Sequence, residues 1–291
     1  MLQDVALHLT KCCIPLALVL GIAVSVNAYA KVWAPGEEVG LPLAAGNDSV
    51  FQVGEELTYN VSYAFIDLGQ VRIKVVDKIQ KEGKTLCRAM AYIDSYKGVP
   101  LVDLHTTYES SISESLYARW FQARLKVEDQ QWRKFIYDFD YPSGNVYVEV
   151  GLEKSDTVER RDTLKVNTWY QDGLSLFFFA RGMVNSTKGM TIPVIVNEKK
   201  ASTFLNFKNE KQSQKIDAVD YPIDVVYFDG RADFVGIFGL TGDFEGWFSN
   251  DAAHVPVLAK MKVLIGNVRL ELMKWNRPGW TPPRYFEKSG K

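Results

Sequence analysis

The sequence predicts a mainly β protein: a large antiparallel curved sheet or barrel-like sandwich with one short buried helix. Three observations predict it. Apolar and polar residues alternate in one stretch after another. Turn residues recur at short, fairly regular spacing, as in sandwiches and barrels rather than βαβ folds. A single segment, 172–182, is apolar nearly all round and has no turn signal inside it. The chain has 291 residues, 47% hydrophobic and 13% aromatic, enough to bury a large core in one unit.

The N-terminus has the order of an export signal. Lys11 precedes the apolar run from Ile14 to Val26, and Ala28-Tyr29-Ala30 supplies small residues where a signal peptidase reads. The run is short for a transmembrane helix, which needs about 20 residues; an uncleaved anchor is the alternative. Cys12 and Cys13 lie before the run, which does not fit a lipoprotein signal. The expected organisation is therefore a signal peptide over 1–30, a linker over 31–50 rich in Pro and Gly, one β-rich domain over 51–276 and an irregular tail over 277–291 that need not pack. Removal of the signal leaves Cys87 as the sole cysteine, read as a small buried hydrophobe in a strand. The expected location is periplasmic, with outer-membrane association open.

Leu57, Tyr59, Val61, Tyr63 and Phe65 alternate with smaller or polar residues, which predicts a strand with one buried face. Asp67-Leu68-Gly69 is the expected turn into a partner strand over Val71–Val75, and Glu82-Gly83 the next, before a strand over 85–93. Strands follow over 119–128 and 133–139 around Asp129-Gln130-Gln131, and from Val146 after the turn Tyr141–Asn145. The charged stretch Glu153–Thr163 reads as an exposed loop or hairpin tip. Further strands are expected at 190–197, 201–208, 213–219, 223–228, 232–240, 243–248, 254–264 and 266–275. In the segment 172–182 Asp172 is a plausible N-cap, so a short buried helix is expected there; an apolar strand is the alternative.

Charge and motif content exclude several function classes. Formal net charge is −1 with no basic cluster, so no nucleic-acid partner is expected. The expected mature chain has two histidines, His105 and His254, which leaves no His-rich metal centre; neither a metal nor a cofactor is expected. There is no Gly-x-Ser-x-Gly elbow, no His-Glu-x-x-His and no Gly-rich phosphate loop before a helix. Two polar pairs remain, Asp103 with His105, two apart on an expected strand, and Asp251 with His254 at a turn. Each suits acid–base work or a plain hydrogen bond. Aromatics are the other candidates, since a curved sheet lined with them can enclose an apolar ligand. Trp120, Trp132, Phe177, Phe178 and Trp247 are the residues chosen for that role, and Asp103, His105 and Asp251 are the candidate polar ones.

The run Gly246-Trp247-Phe248-Ser249-Asn250-Asp251, followed by Pro256, a Lys-containing strand and Gly266, resembles the end of the domain-of-unknown-function 3108 family. Val53–Tyr59 and Asp172–Ser175 resemble it as well. His254 stands where Arg or Lys is expected, which argues against a required imidazole. The resemblance implies export and a β-rich fold, and carries no activity with it.

The leading expectation is an exported, non-enzymatic binding module for an apolar envelope ligand such as a lipid. The alternatives are a carboxylate-dependent hydrolase of envelope glycan or peptide, and a structural or assembly partner of an outer-membrane protein, in which case the partner is an envelope protein.

Overall fold

A computed structural model describes residues 47–81, 83–99, 103–127, 131–153, 157–236, 241–263 and 266–287. The signal segment, Glu82 of one expected turn and Asp129-Gln130 of another lie outside them. After a one-turn helix, α1 (Asn47–Val50), come β1 (Glu56–Tyr63), β2 (Ile66–Lys81), β3 (Lys84–Ser95), β4 (His105–Ser113), β5 (Ala118–Lys126), β6 (Trp132–Asp140), β7 (Asn145–Leu152) and β8 (Thr157–Lys165). Helix α2 (Ser175–Gly182) separates these from β9 (Gly189–Val196), β10 (Lys199–Gln214), β11 (Ile223–Ala232), β12 (Gly242–Ser249), β13 (Pro256–Lys262) and β14 (Asn267–Asn276). They form one 14-stranded antiparallel sheet in the order β8-β7-β6-β5-β4-β3-β2-β1-β14-β13-β12-β11-β10-β9.

The two margins, β8 and β9, are not laddered to each other. A strip before α2 fills the seam: Gln171 makes a parallel bridge to Val194, donating to Pro193 O at 2.9 Å, while Tyr170 O accepts from Ala118 N–H at 3.2 Å. Arg160 pairs with Glu198 at 3.1 Å across the same seam, and Lys200 Nζ reaches Lys165 O at 2.9 Å. The sheet is therefore curved and barrel-like with a seam held by side chains and one short strip.

Several local expectations change. The first turn is Ala64-Phe65, with Tyr63 opposite Ile66, not Asp67-Leu68-Gly69; the extra β2 residue is absorbed by a bulge beside Val61. Glu153–Thr163 is mostly strand, β8, whose exposed charges suit a sheet margin. The strand expected at 201–208 runs on as β10, bulged between Phe207 and Glu210 with Asn209 at φ +50°, and ends at Gln214, so the strand expected at 213–219 is not formed beyond that residue. The strand expected over 232–240 ends at Ala232, and 237–240 lie outside the described residues. The tail is irregular but packs: Asp224 N–H donates to Pro283 O at 2.8 Å, and Trp280 Nε1 to Asp251 Oδ2 at 2.7 Å.

Helix α2 lies inside the curve and fills one end of it. Phe178, 0% exposed, stacks on Phe51 with centroids 5.0 Å apart, and Phe177 meets Tyr59 edge-on. Asp172 secures the entry as expected: its Oδ1 accepts from Leu174 N–H and Ser175 N–H at 2.7 Å, and Ser175 Oγ accepts from Asp172 N–H at 2.8 Å. This is a reciprocal capping arrangement. Its Oδ2 accepts from Ser110 Oγ at 2.6 Å, tying the helix to β4. Burial raises the Asp172 carboxyl to about 6, against the hydrogen bonds that favour its charged form.

The helix exit is held by charge. Arg181 and Glu55 are buried and joined by two bonds, 2.6 and 3.1 Å, and Arg181 also donates to Ala253 O at 3.0 Å. Arg277 bonds the other side of Glu55 and donates to Ser49 O at 2.5 Å. One carboxylate thus clamps the helix, the start of β1, the tail and α1.

Candidate functional site at the open end of the sheet

In an antiparallel sheet, directly opposed residues share a face. The register therefore sorts every side chain to the inner face, where α2 lies, or to the outer one. Near α2 the inner face is sealed: the row Val75, Ala89, Ser110, Phe121, Tyr137, Val148 runs from 0% to 4% exposed. At the opposite end it is not. Tyr63, Met261 and Phe244 are only part-buried in the row Tyr63, Val268, Met261, Phe244. Leu270 one row in, and Leu125 and Phe135 on the other limb, are part-buried too. The concave face is thus plugged at one end and presents accessible apolar surface at the other.

That open end is also where β1 meets β2, β3 meets β4, β5 meets β6, β11 meets β12 and β13 meets β14. Arg133 and Arg160, the latter in the row Phe135, Val150, Arg160, border its apolar lining. Arg133 faces Leu125 across β5–β6 and is bonded to Glu159, while its buried Nε has no hydrogen-bond partner among the described residues. Such a surface can take an apolar body, with a charged group to orient a polar end.

The residues chosen from the sequence do not form one site. Phe177 and Phe178 are inside, but Phe178 is core. Trp247 is on the outer face, in the row Trp247, Leu258, Glu271, Asn60, Gln70, Asp94, His105. It is 4% exposed because Tyr227 and Lys260 cover it, and its Nε1 donates to Gln212 at 2.7 Å. Trp120 is also outside, in the row Arg88, Ser111, Trp120, Asp138, Tyr147, and Trp132 shares the Asp138 face of β6. These strands carry aromatics on both faces, so period two alone cannot say which set looks inward.

Among the polar candidates, Asp103 and His105 do meet, Nε2 to Oδ1 at 3.3 Å, although Asp103 precedes β4 rather than lying on it. Asp94, which sequence reasoning missed, holds the other ring nitrogen at 2.7 Å. The sequence held no signal for it: its place opposite His105 depends on the β3–β4 register. The cluster sits on the outer face, with the Asp103 side chain 86% exposed. Asp251 is elsewhere and fully engaged in its turn, accepting from Ser249 Oγ, Ala253 N–H and Trp280 Nε1. Burial lowers the His254 imidazole below its ordinary value, which keeps it neutral near pH 7.

Residues 58–273 match the family model described as "Protein of unknown function (DUF3108)". No curated protein matches the chain. Among solved structures it is similar to a Brucella abortus protein described as a β-barrel-like protein of domain of unknown function DUF1849. That likeness has a TM-score of 0.49 and 11% identity, and covers 77% of this chain and 97% of the other.

Proposed function

The chain belongs to the DUF3108 family of unknown function, and we propose that it is an exported, non-enzymatic binding protein for an apolar envelope component such as a lipid, held against the inner face at the open end. One observation carries this reading: inner-face Tyr63, Phe244, Met261, Leu270, Leu125 and Phe135 stay part-buried while the helix-end rows are sealed. Buried apolar area is the driving term for such a ligand, at about 25 cal/mol per Å² removed from water. Arg133 at the same surface suits a ligand with one anionic end.

The test is mass spectrometry of organic extracts from protein purified without detergent, followed by binding of a phospholipid with a fluorescent acyl chain. Wild type retains a ligand or binds the probe. Leu125→Glu and Leu270→Glu, at part-buried positions, lose it in proteins whose cooperative melting shows that they remain folded. Empty wild-type protein that also ignores the probe removes the reading. Phe178 is not a usable probe, because its truncation opens a core cavity costing about 3–5 kcal/mol.

A further inference from the structure

The β1–β2 tip breaks the usual rules for a turn twice. A two-residue hairpin loop favours Asn-Gly or Gly at its positive-φ positions. Here Ala64 takes φ +53° without the freedom of glycine. Beside it Phe65 is 103% exposed, and Ile66 is 55% exposed. Neither residue adds to the core. Where local choices cost stability with no structural return, function is the usual reason.

The tip has company. Val127 after β5 is 39% exposed and Val235 after β11 is 46% exposed, and both belong to the same end of the sheet. At the helix end, the exposed apolar residues Val53 and Phe286 lie on the lead-in and the tail, not on a strand connection. Lys97, between β3 and β4, and Lys262, ending β13, are exposed on either side of the tip.

From this arrangement we propose that the open end docks on a lipid bilayer, with Phe65 and Ile66 inserted among acyl chains and Lys97 and Lys262 set against anionic headgroups. Shape favours a bilayer as occupant. Phe65, Val127 and Val235 stand on three separate connections of that end, with Ile66 beside the tip at the start of β2. A flat, deformable phase meets all of them at once. Lys97 and Lys262 beside the tip add attraction to anionic lipid that salt weakens, opposed in part by exposed Asp67 and Asp103 at the same end. The inference rests on the exposed tips and not on the ligand surface inside, so either can fail alone.

The experiment is flotation with protein-free vesicles of phosphatidylethanolamine and phosphatidylglycerol, using protein in the form recovered from an expressing bacterium, so that wild type and variants share one N-terminus. Wild type floats. Phe65→Ser lowers the vesicle partition constant at least about tenfold, the loss expected for one large apolar side chain. Phe65→Trp retains binding. Lys97→Gln with Lys262→Gln removes the salt dependence. All four proteins melt together, because the changed side chains are exposed. Wild type that stays in buffer overturns the proposal, as does Phe65→Ser floating like wild type. Binding only to native envelope vesicles, and not to protein-free ones, overturns it in favour of a protein partner. Leu125→Glu floats normally, which separates docking from ligand loss.

Discussion

The buried charges around Glu55 are unequal partners, and their removal should cost unequal amounts. Arg181 is 0% exposed, Glu55 1% and Arg277 8%, so the cluster holds two cations and one anion away from water. Replacing Glu55 by Gln leaves two guanidiniums without a counter-charge. Breaking a buried pair in this way costs about 3–5 kcal/mol. Replacing Arg181 by Met forfeits two bonds to Glu55 and one to Ala253 O, but leaves Glu55 and Arg277 as a neutral pair. That loss is about 1–3 kcal/mol. In melting temperature the first change is worth about 6–20 °C and the second about 2–12 °C, for a domain of this size. The decisive variant is the double one. In the Glu55→Gln background, removing Arg181 also removes half of the uncompensated charge, so Arg181→Met becomes neutral or stabilising. Urea unfolding followed by tryptophan fluorescence, with the slope checked across variants, measures all three. Additive losses in the double variant, or Arg181→Met costing more than Glu55→Gln, would refute the unequal-charge argument.

Two further outcomes follow from local geometry. The Asp172 carboxyl is raised in the folded protein from 3.8 to about 6, so the folded state holds its proton more tightly than the unfolded chain. This group's contribution to stability is full below 3.8 and is lost as pH rises through about 6. Asp172→Asn keeps an oxygen for the two helix N–H groups and can donate to Ser110, so it should flatten the melting profile over that window without lowering stability at neutral pH; a steeper profile speaks against burial as the cause. Ala64→Gly relieves a left-handed alanine and should gain about 1 kcal/mol, or about 2–4 °C. It leaves Phe65 in place, so vesicle binding stays; a lower melting temperature would show that the tip is not strained.

Most of the fold was legible because strand periodicity is local. Leu57, Tyr59, Val61 and Val71, Ile73, Val75 all proved to be inner-face residues, and the apolar run after Asp172 proved to be the internal helix. The errors arose where a long-range pairing decides. Alternation carries on through Phe65, but the opposition of Tyr63 to Ile66 ends the strand first, turning an expected core residue into the most exposed large apolar side chain among the described residues. Glu153–Thr163 is polar on both faces, as a margin strand can be, and so resembles a loop. The site was harder. Trp120, Trp132 and Trp247 occupy strand positions of the outward parity, and parity is set by register with partners far along the chain. Part-buried Leu125 and Leu270 have nothing in their own neighbourhoods to set them apart from core leucines.

The strand order has a consequence for how the chain assembles. Every neighbouring pair in the sheet except one joins strands consecutive in sequence; the exception is β1 with β14. The molecule is thus two meanders, β2 to β8 spreading one way from β1 and β13 to β9 the other way from β14, zipped along a single distant seam. Each meander can grow by short-range steps, while the joining step closes a loop of more than two hundred residues, from Glu56 to Asn276, and carries the largest entropic cost of closure. Glu55 and Arg277 flank that joint immediately. The ion cluster that clamps the helix is therefore also the latch of the late step, and a chain lacking its last strand holds two half-sheets with bare margins in place of one wall.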